Sequence, residues 1–129
     1  MSGRLKNKVA VVTGGASGIG EGMVRRFCAE GAKVILADVD EANGSRIAVE
    51  CDVDFLLLDV SLAESWQSLE MKIRDDEGRL DILVNNAGVV TGLDITAVTV
   101  DAWQRLMSIN LLGMMLGCQT AISLMRDNP

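Results

Sequence analysis

A chain of 129 residues, 49% apolar and 23% charged, is long enough for one packed domain and too hydrophobic for a disordered tail. Its 18 acidic against 12 basic side chains leave a net charge of -6, which repels a polyanion and argues against nucleic-acid binding. Histidine is absent and Cys28, Cys51 and Cys118 are far apart, so no metal-ligand spacing exists and the isolated thiols fit a reducing cytoplasm.

The basic N-terminal residues Arg4, Lys6 and Lys8 are followed by only four apolar positions, Val9 to Val12, too few for a signal-peptide core. Val9 to Thr13 instead reads as a strand buried on both faces, ended by Gly14-Gly15. A helix follows with Ile19, Met23 and Phe27 on one face and Gly31 as its stop. Lys33 to Ala37 is a second strand, Asp40 to Glu50 a weaker helix, and Phe55 to Leu58 a third strand. Ser61-Leu-Ala-Glu64 has the form of a capping box, with the Ser61 hydroxyl on the Glu64 amide. The helix it opens puts Leu62, Trp66, Leu69 and Ile73 on one face and ends near Gly78, before a fourth strand from Leu80 to Val84. Thr99, with Asp101 behind it, caps a long helix whose stretch from Leu106 to Met125 carries no charge. Twenty such positions reach the length of a membrane span, but Ser108, Asn110, Gln119, Thr120 and Ser123 interrupt them. A helix buried on every side, between a sheet and a partner subunit, reads the same way and is the expectation here. Four short strands alternating with helices imply right-handed crossovers and a parallel sheet in one unit, residues 1–129.

Thr13-Gly-Gly-Ala-Ser-Gly-Ile-Gly20 falls between the first strand and the first helix, where a phosphate can rest on free amides at the positive end of the helix. Glycines there permit a tight turn and close approach, although the spacing is not G-x-G-x-x-G and a plain glycine-rich turn reads alike. Asp38, at the end of the second strand, stands near the offset of a carboxylate that bonds adenosine ribose hydroxyls. Such a carboxylate repels a 2′-phosphate, and neither Ser17 nor Val39 offers a cation, which favours NAD over NADP. The alternative is that Asp38 merely caps the next helix.

Taken together, Thr13-Gly14-x-x-x-Gly18-x-Gly20, Asp38, Asp59-Val60 and Asn85-Asn86-Ala87-Gly88, in this order, resemble the short-chain dehydrogenase/reductase family along essentially the whole chain. The resemblance implies an α/β, Rossmann-like doubly wound parallel sheet of strand order 3-2-1-4, without the family's later strands. It implies that Gly14, Ser17, Gly18, Ile19 and Gly20 line the cofactor's pyrophosphate, Asp59 and Val60 its adenine, and Asn86, Ala87 and Gly88 its ribose. Asn110 matches a family asparagine that disturbs its helix and anchors a water in a proton relay; an asparagine satisfied by a backbone carbonyl is the plainer reading.

Family members transfer hydride between NAD(P) and a secondary alcohol or ketone, using a serine, a tyrosine and a lysine four residues after it. This sequence has no tyrosine, and every matching motif belongs to the first half of a family about twice as long. The expectation is therefore the NAD-binding half of an oxidoreductase that does not turn over alone. A non-catalytic NAD-binding or dimerising module and a non-functional truncated fragment stay open. A bare edge on the fourth strand and an apolar patch on the 102–125 helix point to self-association, with a homo-oligomer built through that helix in the cytoplasm and no membrane span.

Overall fold

The computed structural model describes residues 3–129. Strands β1 (Val9–Thr13), β2 (Lys33–Asp38), β3 (Asp54–Leu57) and β4 (Ile82–Val84) form one parallel sheet in the order β3-β2-β1-β4, as expected. Helices α1 (Gly18–Ala29), α2 (Glu41–Cys51) and α3 (Ala63–Asp76) provide the crossovers. A last helical run is α4 (Val100–Met107), a π-helical segment (Ser108–Leu112) and α5 (Gly113–Met125).

Central strand β1 explains the layering. Val9 and Val11 point into one core with Trp66, Leu69 and Ile73 of α3 and Ala121 and Leu124 of α5. Val12 points into the other, with Val24 of α1 and Ile47 of α2. Period-2 alternation in a strand covered on both sides thus reads as an unbroken apolar run. Each fully buried valine or leucine contributes about 2 kcal/mol.

Several expected helix details shift. α1 begins at Gly18 and buries Gly20 and Val24; Met23 and Phe27 only flank the core, and Ile19 is 73% exposed. The capping box does not form: Ser61 gives both its amide and its hydroxyl (2.6 Å) to Asp59 Oδ1, so α3 starts later, with Leu62 as an N-cap outside the core. Trp66 sits where the pattern put it, buried, with Nε1 donating to the Val60 carbonyl at 2.9 Å. Thr99 caps α4 as expected, Oγ1 accepting from the Ala102 amide at 3.1 Å.

The long final helix departs most. Val100–Met125 is long and apolar enough to cross a membrane by length and composition, with mean hydropathy 1.3 over its most apolar window, yet only 22% of that window is buried. It is not enclosed on every side. One face packs: Gly113 against Val60, Gly117 against Trp66 and Asn85, with Ala121 and Leu124 in the core. The other leaves Trp103, Leu111, Met114, Met115 and Ile122 exposed.

Before β4, the Asp81 carboxylate, whose side chain is 9% exposed, accepts from the Val9 amide (2.9 Å) and from Arg79 (3.0 and 2.5 Å), with Lys8 at 3.7 Å. Arg79 chiefly, then the Val9 amide and Lys8, hold this carboxyl below the usual carboxylate range. Its stabilisation is therefore complete above the unfolded-chain value, about pH 4, and is lost as pH falls through the lowered folded value. Asp81→Asn should cost about 2 kcal/mol at pH 7 in urea unfolding, and the gap between variant and wild type should narrow towards pH 3. Equal stabilities at pH 7 would contradict this.

Candidate functional site

β1, β2 and β4 all end at one edge of the sheet, and the turns that follow them meet there. Thr13 organises the junction. Its hydroxyl donates to the Val84 carbonyl (3.2 Å) and accepts from the amides of Asn86 (3.1 Å) and Ala87 (3.0 Å). The Asn86 side chain returns the connection, Nδ2 donating to the carbonyls of Thr13 (3.0 Å) and Gly14 (3.2 Å). The Asn-Asn-Ala-Gly turn and the glycine loop are thereby one hydrogen-bonded unit.

Two glycines of the loop are required by what surrounds them. Gly14 has φ +64°, and a Cβ there would stand 2.9 Å from Ala87 Cα and Asn86 Nδ2. A Cβ on Gly20 would run into the Gly14 carbonyl oxygen, with Asn86 Nδ2 at 2.6 Å. Gly20 therefore lets α1 close onto the loop from behind.

At the front, Ser17 is the N-cap of α1 and makes no side-chain capping hydrogen bond. The first-turn amides consequently lack a side-chain cover, and the space a Gly18 side chain would fill is open to 4 Å. Asp38 is beside this loop: Oδ2 accepts from the Ala16 amide (3.0 Å) and Oδ1 from the Asp40 amide (2.9 Å). Asp40, not Asp38, caps α2, accepting from the Asn43 amide at 3.0 Å. A carboxylate has about four acceptor positions, so two amides leave Asp38 with acceptors to spare.

A cleft of about 770 Å³ opens over these groups. Of the expected residues, Gly14, Ser17, Gly18, Ile19, Asp38, Asp59, Val60, Asn86, Ala87 and Gly88 line it. Gly20, packed behind the loop, and Asn110 are not among its lining residues. Val89, which with Val90 and Leu93 read as either an apolar pocket wall or a buried loop, also lines it, while Val90 and Leu93 do not; sequence reasoning missed Val39, Leu58, Ser61, Arg105, Ser108 and Ile109. Val39 and Ser61 adjoin flagged residues and could have been added by adjacency. Arg105, Ser108 and Ile109 come from α4 and the π segment, whose placement beside the cleft has no local signature. Exposure of Ile19, puzzling for a core residue, is explained by its place on the cleft wall.

Asn110 lies in the π segment, the local helix disturbance expected for it. Its side chain is used twice on one residue: Oδ1 accepts from the Val89 amide and Nδ2 donates to the Val89 carbonyl, both at 2.8 Å. The plainer expectation, satisfaction by backbone, thus describes the side chain. Asn110→Ala frees both Val89 groups and should speed exchange of the Val89 amide by about tenfold or more. Unchanged exchange in hydrogen–deuterium NMR would contradict the clamp.

Residues 8–129 match the sequence model of a family described as short chain dehydrogenase. The chain is similar to the 3-beta-hydroxysteroid dehydrogenase of Comamonas testosteroni, 38% identical across 98% of this chain and 51% of that protein. It is also similar to the galactitol 2-dehydrogenase of Agrobacterium fabrum, 40% identical across 87% of this chain and 44% of that one. The chain spans about half the length of the curated relatives it matches.

Proposed function

The chain belongs to the short chain dehydrogenase family, and from that premise we propose that its cleft holds NAD, as the cofactor-binding half of an oxidoreductase acting on a secondary alcohol or ketone. The observation carrying this reading is that the uncapped first turn of α1 and the Asp38 carboxylate face one cleft at the carboxyl ends of parallel strands. The amides around Gly14, Ser17, Gly18 and Ile19 would take the pyrophosphate. The spare acceptors of Asp38 would take the adenosine ribose hydroxyls, which makes NADP the poorer ligand. Asp59 and Val60 would border the adenine, and Asn86, Ala87 and Gly88 the second ribose. When bound, the nicotinamide ring supplies the hydride donor or acceptor.

The chain's own contribution is to bind and orient. None of the 129 residues is tyrosine, so we assign the proton at the substrate oxygen to residues outside this stretch. Because the Asn110 side chain is engaged by Val89, a water anchored there would use backbone of the π segment, where i→i+5 spacing releases a carbonyl from its usual partner. The printed names of the two relatives, a hydroxysteroid and a galactitol dehydrogenase, support a hydroxylated small-molecule substrate.

Our reading includes a cytoplasmic location, supported by three free cysteines, and a homo-oligomer through the exposed apolar face of α4 and α5. Sedimentation should then find the chain associated at micromolar concentration and Met115→Asp more monomeric; a monomeric wild type would remove the oligomer from the reading.

The function is tested by fluorescence titration of the folded 129-residue chain with NADH, alongside an assay for alcohol-dependent NAD reduction. Saturable NADH binding without turnover is expected. A folded chain that ignores NADH would overturn the cofactor reading, and turnover would overturn the assignment of the proton step.

A further inference from the structure

α1 and α2 cover the same face of the sheet, and their C-terminal ends bring two of the three cysteines into one seam. Cys28 is on the last turn of α1 and Cys51 is the last residue of α2. Both are partly buried against the same core, and both line a crevice of about 210 Å³ that also contains Lys33, Asp52 and Asp54. Arg25, one turn before Cys28, crosses the seam. Its Nη1 lies 3.7 Å from Cys51 Sγ, while Glu21 (2.9 Å) and Glu50 (2.6 Å) hold the guanidinium in place. Cys51 is thereby fixed facing the stretch of α1 that carries Cys28. Cys118, on α5, belongs to the opposite face and is exposed.

We infer that Cys28 and Cys51 form a peroxide-sensitive dithiol site that closes to an intramolecular disulfide joining α1 to α2. The crevice has the volume of several water molecules, at about 30 Å³ each, and hydrogen peroxide is little larger than water. The Cys51 sulfur, held beside the Arg25 guanidinium, attacks a peroxide oxygen and gives up its proton: an S–O bond forms, the O–O bond breaks, and the departing hydroxide takes that proton to leave as water. Cys28 then gives up its proton and attacks the sulfenic sulfur: the S–S bond forms, the S–O bond breaks, and a second water leaves. Two thiols lose two electrons and one peroxide gains them. Burial, reinforced by the nearby Cys51 and Asp52, pushes the Cys28 thiol up, so it stays protonated at neutral pH and acts second.

The test treats the chain carrying Cys118→Ser with hydrogen peroxide in native buffer. Expected are a mass loss of about 2 Da, disappearance of both titratable thiols, a peptide linking Cys28 to Cys51, and full reversal by dithiothreitol. In a Cys28→Ser chain, dimedone should trap a sulfenic acid on Cys51; in a Cys51→Ser chain it should trap little on Cys28. Two thiols surviving in the folded protein, cross-links only between chains, or cross-linking equally fast in urea would each overturn the site. Trapping on Cys28 alone would overturn the order of steps.

Discussion

Gly20→Ala should weaken NADH binding at least about 100-fold, equivalent to roughly 2.7 kcal/mol. A Cβ at this position meets the Gly14 carbonyl oxygen and, at 2.6 Å, the Asn86 amide nitrogen, so no side-chain rotation relieves it. Either α1 backs away from the loop or Gly14 turns, and each disturbs the amides proposed to hold the pyrophosphate. Overpacking of this kind commonly costs about 1–3 kcal/mol of stability as well, visible as a lower urea midpoint. Gly22→Ala is the control. Gly22 lies two residues on in the same helix with nothing within 4 Å of a Cβ, so alanine there should leave binding intact and stabilise the helix by up to about 1 kcal/mol. Wild-type affinity in Gly20→Ala by fluorescence titration would remove the loop from the cofactor site.

Asp38→Ala should collapse the choice between cofactors. We expect the wild type to bind NADH about 100-fold or more tightly than NADPH, because a 2′-phosphate would be forced against a carboxylate. Two unit charges about 4 Å apart near a protein surface repel by about 4 kcal/mol. In the variant the ratio should fall below about tenfold, chiefly through lost NADH affinity, since the ribose hydroxyls lose their acceptor. The Ala16 amide loses its partner too, so the glycine loop should exchange hydrogen faster. A preference for NADH that survives the substitution would show that Asp38 does not read the ribose.

The same residues indicate where sequence reasoning reaches and where it stops. The four strands and their order were legible because parallel strands covered on both faces are short β-branched runs ended by glycine or polar turns, and β1 is such a run. The glycine loop, Asp38 and Asn86 were legible because strand-to-helix junctions lie at predictable places, and ten of the eleven cofactor-binding candidates line the cleft. Gly20 is the exception for a physical reason: its missing Cβ accommodates the loop rather than a ligand. Ser61 misled because its hydroxyl had two possible partners, and the nearer, Asp59 at 2.6 Å, lies outside any helical pattern. Ile19 misled because helical periodicity marks a face without saying whether a core or a cleft lies against it. The Asn110 clamp on Val89 joins residues 21 apart, and Arg105 of α4 lines a cleft built mainly by residues far from it in sequence; spacing along the chain encodes neither.

In the proposed complex Gly14 to Gly20 wraps a pyrophosphate while Asp38 holds the adenosine ribose. Backbone NMR of the folded chain titrated with NADH tests it most directly. The largest saturable shifts are expected at Gly14, Ser17, Gly18, Ile19 and Asp38, with Asn86 to Gly88 following at the same ligand concentrations. Saturable binding that leaves these amides unmoved and shifts residues elsewhere would contradict it.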